Sequence, residues 1–205
     1  MHPIHGANLL FAKVVLHMSD ELSELRSQVE VCRSCTLHKT RLKPVFGEGP
    51  NDSKVLFVGL GPGYHENREG RPFVGAAGKL LDNLLETSGL KREDVYITNI
   101  IKCYLPNNKA SDEEIAMCTP YLNKQIDLIQ PKFIIPLGNV AASYLLRKFG
   151  QQIAPMRNLH TKIFFVSTLF FQTKLIPMYH PAAALRNPGL KSVVREDWRK
   201  LGYLI

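Results

Sequence analysis

Four cysteines are the first residues in this chain whose spacing could do chemistry: Cys32 and Cys35 in "CRSC", then Cys103 and Cys118. A C-x2-C pair is well spaced to give two ligands to one metal centre, and the second pair follows at C-x14-C. Zinc usually takes two close pairs, and only one is present. Four thiolates drawn from dispersed segments suit a [4Fe–4S] cluster at least as well. Four buried thiols packing as small hydrophobes are the plain alternative. A second candidate set lies in residues 59–75, "GLGPGYHENREGRPFVG". A glycine turn after a strand can cradle an anion with its backbone N–H groups. No G-K-[ST] follows, however, and Pro62 breaks the dinucleotide pattern. A loop that carries Phe73 and acidic groups suits a base better than a phosphate.

These residues need elements to hold them. Leu22, Leu25 and Val29 recur at helical spacing and lead into the first cysteine pair. "KVLFVGLG" (54–61) and "KFIIPLG" (132–138) are nearly unbroken apolar runs ending in glycine, the form of buried parallel strands. "DVYITNIIKCY" (94–104) is β-branched and aromatic, hence a strand, and 162–171 and 174–181 add two strand-like pieces. Between them, 76–89 places Leu80, Leu81, Leu84 and Leu85 on one side and closes on Gly89, a C′ glycine. "SDEE" (111–114) opens the helix containing Cys118 with a capping box. A helix from Asn139 to about Phe149 and a final helix holding Trp198 complete the series. Strand and helix alternate, which predicts an α/β three-layer αβα sandwich around a mostly parallel central sheet. Functional groups in such sheets gather at the carboxyl ends of the strands. Three polar-rich segments fall there: 59–75, Asn99 to Pro106, and "YHPAAALRNPG" (179–189).

The chain has 205 residues, 45% of them hydrophobic and 21% charged, as expected of one globular domain. Its net charge of +8 favours a polyanionic partner through counterion release. No window long enough to cross a bilayer is free of charge. The run from Leu9 to Leu16 is short, interrupted by Lys13, and lacks the flanks of a secretory signal. The protein is therefore expected in the cytoplasm, where a disulfide framework is disfavoured. Residues 1–17 read as a misassigned start or a loosely docked extension ahead of a single domain at 18–205, because "MSDELSEL" looks like a natural start.

"GLGPGYHENREGRPFVGAAGKLLDNLL", "YITNIIKC", "YHPAAALRNP" and the leading "CRSCTLHKTR" occur in order from Cys32 to the C-terminus. Together they resemble the family 4 uracil-DNA glycosylases, the iron–sulfur members of their superfamily. The resemblance implies a monofunctional DNA repair enzyme that flips uracil out of the stack and hydrolyses its N-glycosidic bond, leaving an abasic site. It implies Phe73 stacking on the base, Asn99 reading uracil, and Leu60 and Gly61 on the pocket rim. It further implies His180 donating to uracil O2 as negative charge develops there. Tyr179, Leu185 and Arg186 are implied to meet the DNA, with Leu185 as the wedge filling the vacated stack. Lys and Arg at 39, 41, 43, 186, 191 and 195 are candidate backbone contacts. Cys32, Cys35, Cys103 and Cys118 are implied ligands of a [4Fe–4S] cluster that staples the N-terminal helix to the sheet. The implied partner is uracil-containing DNA, single- or double-stranded, bound by a monomer.

One position departs from the family pattern. Many family 4 members read Gly-Glu in the first motif, where this chain has Leu60, and Asn67 replaces the second of two acidic residues that follow. Leu60 cannot activate water, so Glu66 becomes the water-orienting candidate. "GL" and "ENR" lean toward family 5, whose base range is broader. Two other readings compete: a non-catalytic iron–sulfur DNA-binding domain of the same fold, and a zinc-containing hydrolase.

Overall fold

The protein is described here from a computed structural model, over residues 20–205. The expectation for residues 1–17 lies outside the described residues. Helix α1 spans 20–31, with Leu22, Leu25 and Val29 buried as their spacing requires. The sheet has five strands: β1 (Val55–Gly59), β2 (Tyr96–Asn99), β3 (Phe133–Pro136), β4 (Phe164–Ser167) and β5 (Gln172–Leu175). Their order is β2-β1-β3-β5-β4. All pairs are parallel except β4 with β5.

Every residue of β1 is buried, which explains the unbroken apolar run, and alternate side chains serve opposite faces. Leu56 and Val58 point into a core shared with α1, α4 (Asp112–Ile129) and α5 (Asn139–Lys148). Val55 and Phe57 point the other way, to α3 (Ala76–Thr87) and α8 (Lys191–Leu204). There Phe57 stacks on Trp198 with ring centroids 5.4 Å apart. This two-sided burial is the three-layer arrangement read from the sequence.

The capping box at Ser111 is formed, Glu114 N donating to Ser111 Oγ and Ser111 N to Glu114 Oε2. Two boundaries differ from expectation. The run 94–104 leaves the sheet after Asn99, because Ile100 N and Ile101 N turn to the carbonyls of Gly59 and Leu60. The run 162–171 is a short strand followed by a turn. Thr168 Oγ1 accepts from the N–H groups of Phe170 and Phe171 and folds the chain back into β5.

Order 2-1-3 places the reversal of strand order between β1 and β3, where open α/β sheets bind ligands. Gly59 pairs with Asn99, and beyond β3 the amides of Leu137 and Gly138 bond to Val58 O and Met178 O. Residues 59–61, 99, 137–138 and 178–180 are thereby gathered at one end of the sheet.

Candidate active site

A cleft of about 480 Å³ opens at that end. Leu60, Gly61, Glu66, Phe73, Asn99, His180, Leu185 and Arg186 all line it. The structure thus brings together eight of the nine residues expected around a base or its DNA. The ninth, Tyr179, lies outside the cleft wall, its ring 5.0 Å from that of His160.

Asn99 ends β2 and is 2% exposed. Among the described residues its side-chain amide makes no hydrogen bond, although its carbonyl accepts one from Lys102 Nζ at 2.7 Å. An amide held at a buried wall with its donors and acceptor unspent is built for a ligand. Gly59 makes room for it. A Cβ at that position would collide with Asn99 Oδ1 and with Phe73 Cζ.

Phe73 is 6% exposed and adopts φ +51°, a left-handed backbone that an aromatic residue rarely takes. Three devices hold it there. The carbonyl of Phe73 packs against Gly78 so closely that no Cβ would fit. Arg92 Nη2 donates to Pro72 O at 2.6 Å. Glu48 in turn anchors Arg92 at 2.6 Å and Arg71 at 2.8 Å. Burial works to raise the Glu48 carboxyl, but the two guanidinium groups outweigh it and hold its pKa below the usual value.

Glu66 sits on the short helix α2 (Tyr64–Glu69) rather than on an open loop. Its Oε1 accepts from Val74 N and Gly75 N, both at 2.9 Å, and its Oε2 from Gly63 N at 3.1 Å. Three of roughly four acceptor directions of the carboxylate therefore brace the loop. Asn67 is a second tether, buried and accepting Leu42 N at 2.7 Å. Leu60 packs against the α1-side core and brings no polar group to the cleft.

His180 caps α7 (Pro181–Arg186), its Nδ1 accepting from Ala182 N at 3.1 Å. That bond assigns the proton of the neutral ring to Nε2. Burial, and next the Arg186 charge, push its pKa down to about 4 against a smaller opposing pull from Glu66. The ring is neutral at physiological pH and presents one N–H. It lies 5.5 Å from the Phe73 ring and within 28° of parallel. Leu185 is 47% exposed at the rim, with Arg186 beside it.

Comparison with known proteins shows the family of the chain. The sequence model of the uracil DNA glycosylase superfamily matches residues 46–202. A type-4 uracil-DNA glycosylase of Sulfurisphaera tokodaii is 42% identical over 89% of this chain and 84% of its own length. One of Archaeoglobus fulgidus is 40% identical over 90% and 94%. This chain belongs to the type-4 uracil-DNA glycosylases. A type-5 enzyme of Thermus thermophilus is 34% identical, over only 53% of the chain and 56% of its own length.

In this type-4 chain the four cysteines are free thiols, Cys103 and Cys118 buried, Cys32 and Cys35 partly so. They feel one another electrostatically, and N–H donors face the sulfurs: Arg41 Nη1 meets Cys103 Sγ at 3.2 Å and Lys102 N meets Cys118 Sγ at 3.3 Å. Burial raises the Cys103 pKa and pushes Cys118 up to about 11. For Cys32, hydrogen bonds with Ser34 and Tyr121 overcome burial and lower it. Among the described residues no three ligand side chains gather tightly enough for a single metal ion. In a four-iron cluster each thiolate binds its own iron, so the sulfurs stand further apart than ligands of one ion do. Four thiols fit a four-iron cluster, whose ligands need not converge on a single ion. Arg41 donates to Cys103 Sγ through Nη1 and to Glu30 O through Nη2.

Two features escaped the sequence reading. One is Lys102, 1% exposed, its ammonium donating to Thr98 Oγ1, Asn99 O and Gln125 Oε1 at 2.6–2.7 Å. Burial pushes its pKa down to about 7, partly offset by Cys118. The only sequence signal was a lysine inside an otherwise apolar run. The other is charge segregation: residues 128–195 hold nine Lys or Arg and no Asp or Glu, so all 18 acidic residues lie elsewhere. That stretch includes β3, β4, β5 and the His180–Arg186 wall of the cleft.

Proposed function

We propose that the cleft receives a uracil flipped out of DNA and hydrolyses its bond to the sugar. The observation that carries this reading is the unspent amide of Asn99 at the buried wall. Its Oδ1 accepts from uracil N3–H and its Nδ2 donates to O4. Cytosine offers the opposite pattern at both positions and leaves both groups unpaired, which is where strong discrimination arises. Phe73 stacks on the base, and the backbone at Gly61 meets its rim.

As the C1′–N1 bond breaks, its electron pair moves onto the uracil ring and the sugar becomes oxocarbenium-like. The N–H of neutral His180 stabilises the charge at O2 in the manner of an oxyanion hole. A water oxygen then bonds to C1′ and releases its proton to solvent, and the uracil anion takes up a proton after departure. Leu60 has no part in activating that water. Glu66 holds the loop and offers its one remaining acceptor direction to the water. Leu185 fills the vacated stack and Arg186 meets a phosphate. The acid-free stretch supports attraction to DNA; the reading has the protein act as a monomer in the cytoplasm, on single- or double-stranded DNA.

Cys32, Cys35, Cys103 and Cys118 would hold a [4Fe–4S] cluster, whose part is to tie the segment after α1 to β2 and α4. Incubation with uracil-containing oligonucleotides followed by alkali tests the whole proposal. Strand scission at uracil is expected from the protein and is expected to fall at least about 100-fold in Asn99→Ala. Scission unchanged by Asn99→Ala overturns the reading.

A further inference from the structure

We infer that Lys102 is the positioning residue for Asn99, fixing the base-reading amide from behind; this rests on the pocket proposed above. Among the described residues the Asn99 side chain has no hydrogen-bond partner, so its amide is aimed by its own backbone and by packing. Its carbonyl lies at the end of β2, where the next two amides bond to the carbonyls of Gly59 and Leu60. Lys102 takes up that carbonyl. Its side chain folds back over three residues and donates at 2.7 Å to Asn99 O.

The ammonium is itself fixed. Its other two protons go to Thr98 Oγ1 at 2.7 Å and to Gln125 Oε1, on α4, at 2.6 Å. Those acceptors are locked in turn, since Thr98 Oγ1 donates to Phe46 O at 2.8 Å and Gln125 Nε2 donates to the same carbonyl at 2.9 Å. All three donors are satisfied and no carboxylate is among the acceptors. A buried ammonium held only by neutral oxygens is a costly choice for stability alone, because an apolar residue of similar volume is often as good. What the lysine does that an apolar residue cannot is seize a carbonyl at the exit of β2. The same residue's backbone N–H donates to Cys118 Sγ at 3.3 Å. One residue therefore joins the cysteine site to the amide that reads the base.

A double-mutant cycle tests this. In Lys102→Met, kcat for uracil excision is expected to fall about tenfold or more with KM within about twofold, and the inhibition constant of free uracil to rise about tenfold. In an Asn99→Ala background the same change is expected to cost less than about twofold, because the residue through which it acts is gone. Iron content is expected to stay at the wild-type level. Leu201→Ala, in the core on α8, serves as a destabilised control and is expected to lower Tm without moving the uracil inhibition constant. Additive losses in the cycle, or an unchanged inhibition constant in Lys102→Met, overturn the inference. If Lys102→Met yields no folded protein, Gln125→Met keeps the lysine and removes its α4 acceptor, and the same two readouts decide. A wild-type protein inactive on uracil would sink the pocket reading itself, whereas an active wild type with an additive cycle sinks this inference alone.

Discussion

The carbonyl-bearing residue Gly59 and the reading residue Asn99 are register partners across β1 and β2, and the absent side chain of the first is the space occupied by the second. The same gap admits the edge of Phe73. Both walls of the base pocket thus depend on one missing methyl group.

Gly59→Ala is accordingly expected to displace Asn99 and Phe73 together. A shift of about 1 Å in such groups costs on the order of 100-fold in rate. Excision kinetics should record that loss while thermal melting shows a change of only a few degrees. A Gly59→Ala protein with near-normal rates would contradict the geometry.

The acid limb of the rate profile should follow His180. Its folded pKa, about 4, lies below the ordinary 6.5, so the native ring stays neutral as pH falls through 6.5 while the unfolded chain takes up a proton. Excision by the folded enzyme is expected to show no acid limb above about pH 5. Stability should decline across the interval between 6.5 and about 4, by on the order of 3 kcal/mol in total. Denaturant melts at a series of pH values measure this, and a rate halved near pH 6.5 would show that the ring is not shielded as described. His180→Ala should lower the rate by about 100- to 1,000-fold.

Glu66→Ala leaves the N–H groups of Gly63, Val74 and Gly75 without their acceptor. The expected loss of stability is on the order of 2 kcal/mol. Turnover should slow, and trypsin should cut more readily at Arg68 beside the loosened loop. Wild-type turnover combined with wild-type resistance to trypsin would remove Glu66 from both roles.

Cys118→Ser places a weaker ligand in α4, where the thiol is buried and faces the backbone of Lys102. Iron and sulfide content should fall, and Tm should drop with it, since structural metal centres contribute directly to folding. Cys118→Ser protein with full iron content would place the ligand elsewhere.

What was legible in the sequence was whatever local patterns encode. The buried strands announced themselves as apolar runs, the helix at Ser111 by its capping box, and the pocket residues by lying at strand ends. The turn at Thr168 was hidden because Leu169, Phe170 and Phe171 are apolar and read as strand, whereas a hydroxyl reaching two amides makes the bend. The supports of the site were hidden for a different reason. Glu48 and Arg92 are 44 positions apart, and Lys102 and Gln125 are 23 apart. No periodicity announces such pairs, since only the folded chain brings them together. The contact of Arg41 with Cys103 was hidden too, because a lone arginine carries no mark of its partner.

The acid-free stretch from residue 128 to 195 has a consequence for how the molecule searches. A uniformly basic protein would meet a duplex in any attitude and would have to turn before inspecting it. Here nine Lys and Arg, Lys174 on β5 and Arg186 on the α7 wall among them, stand in a stretch without an acidic residue, while the remainder of the chain carries all the negative groups. Arg186, the one basic side chain of that stretch on the cleft wall, then favours approaches in which the mouth of the cleft faces the strand.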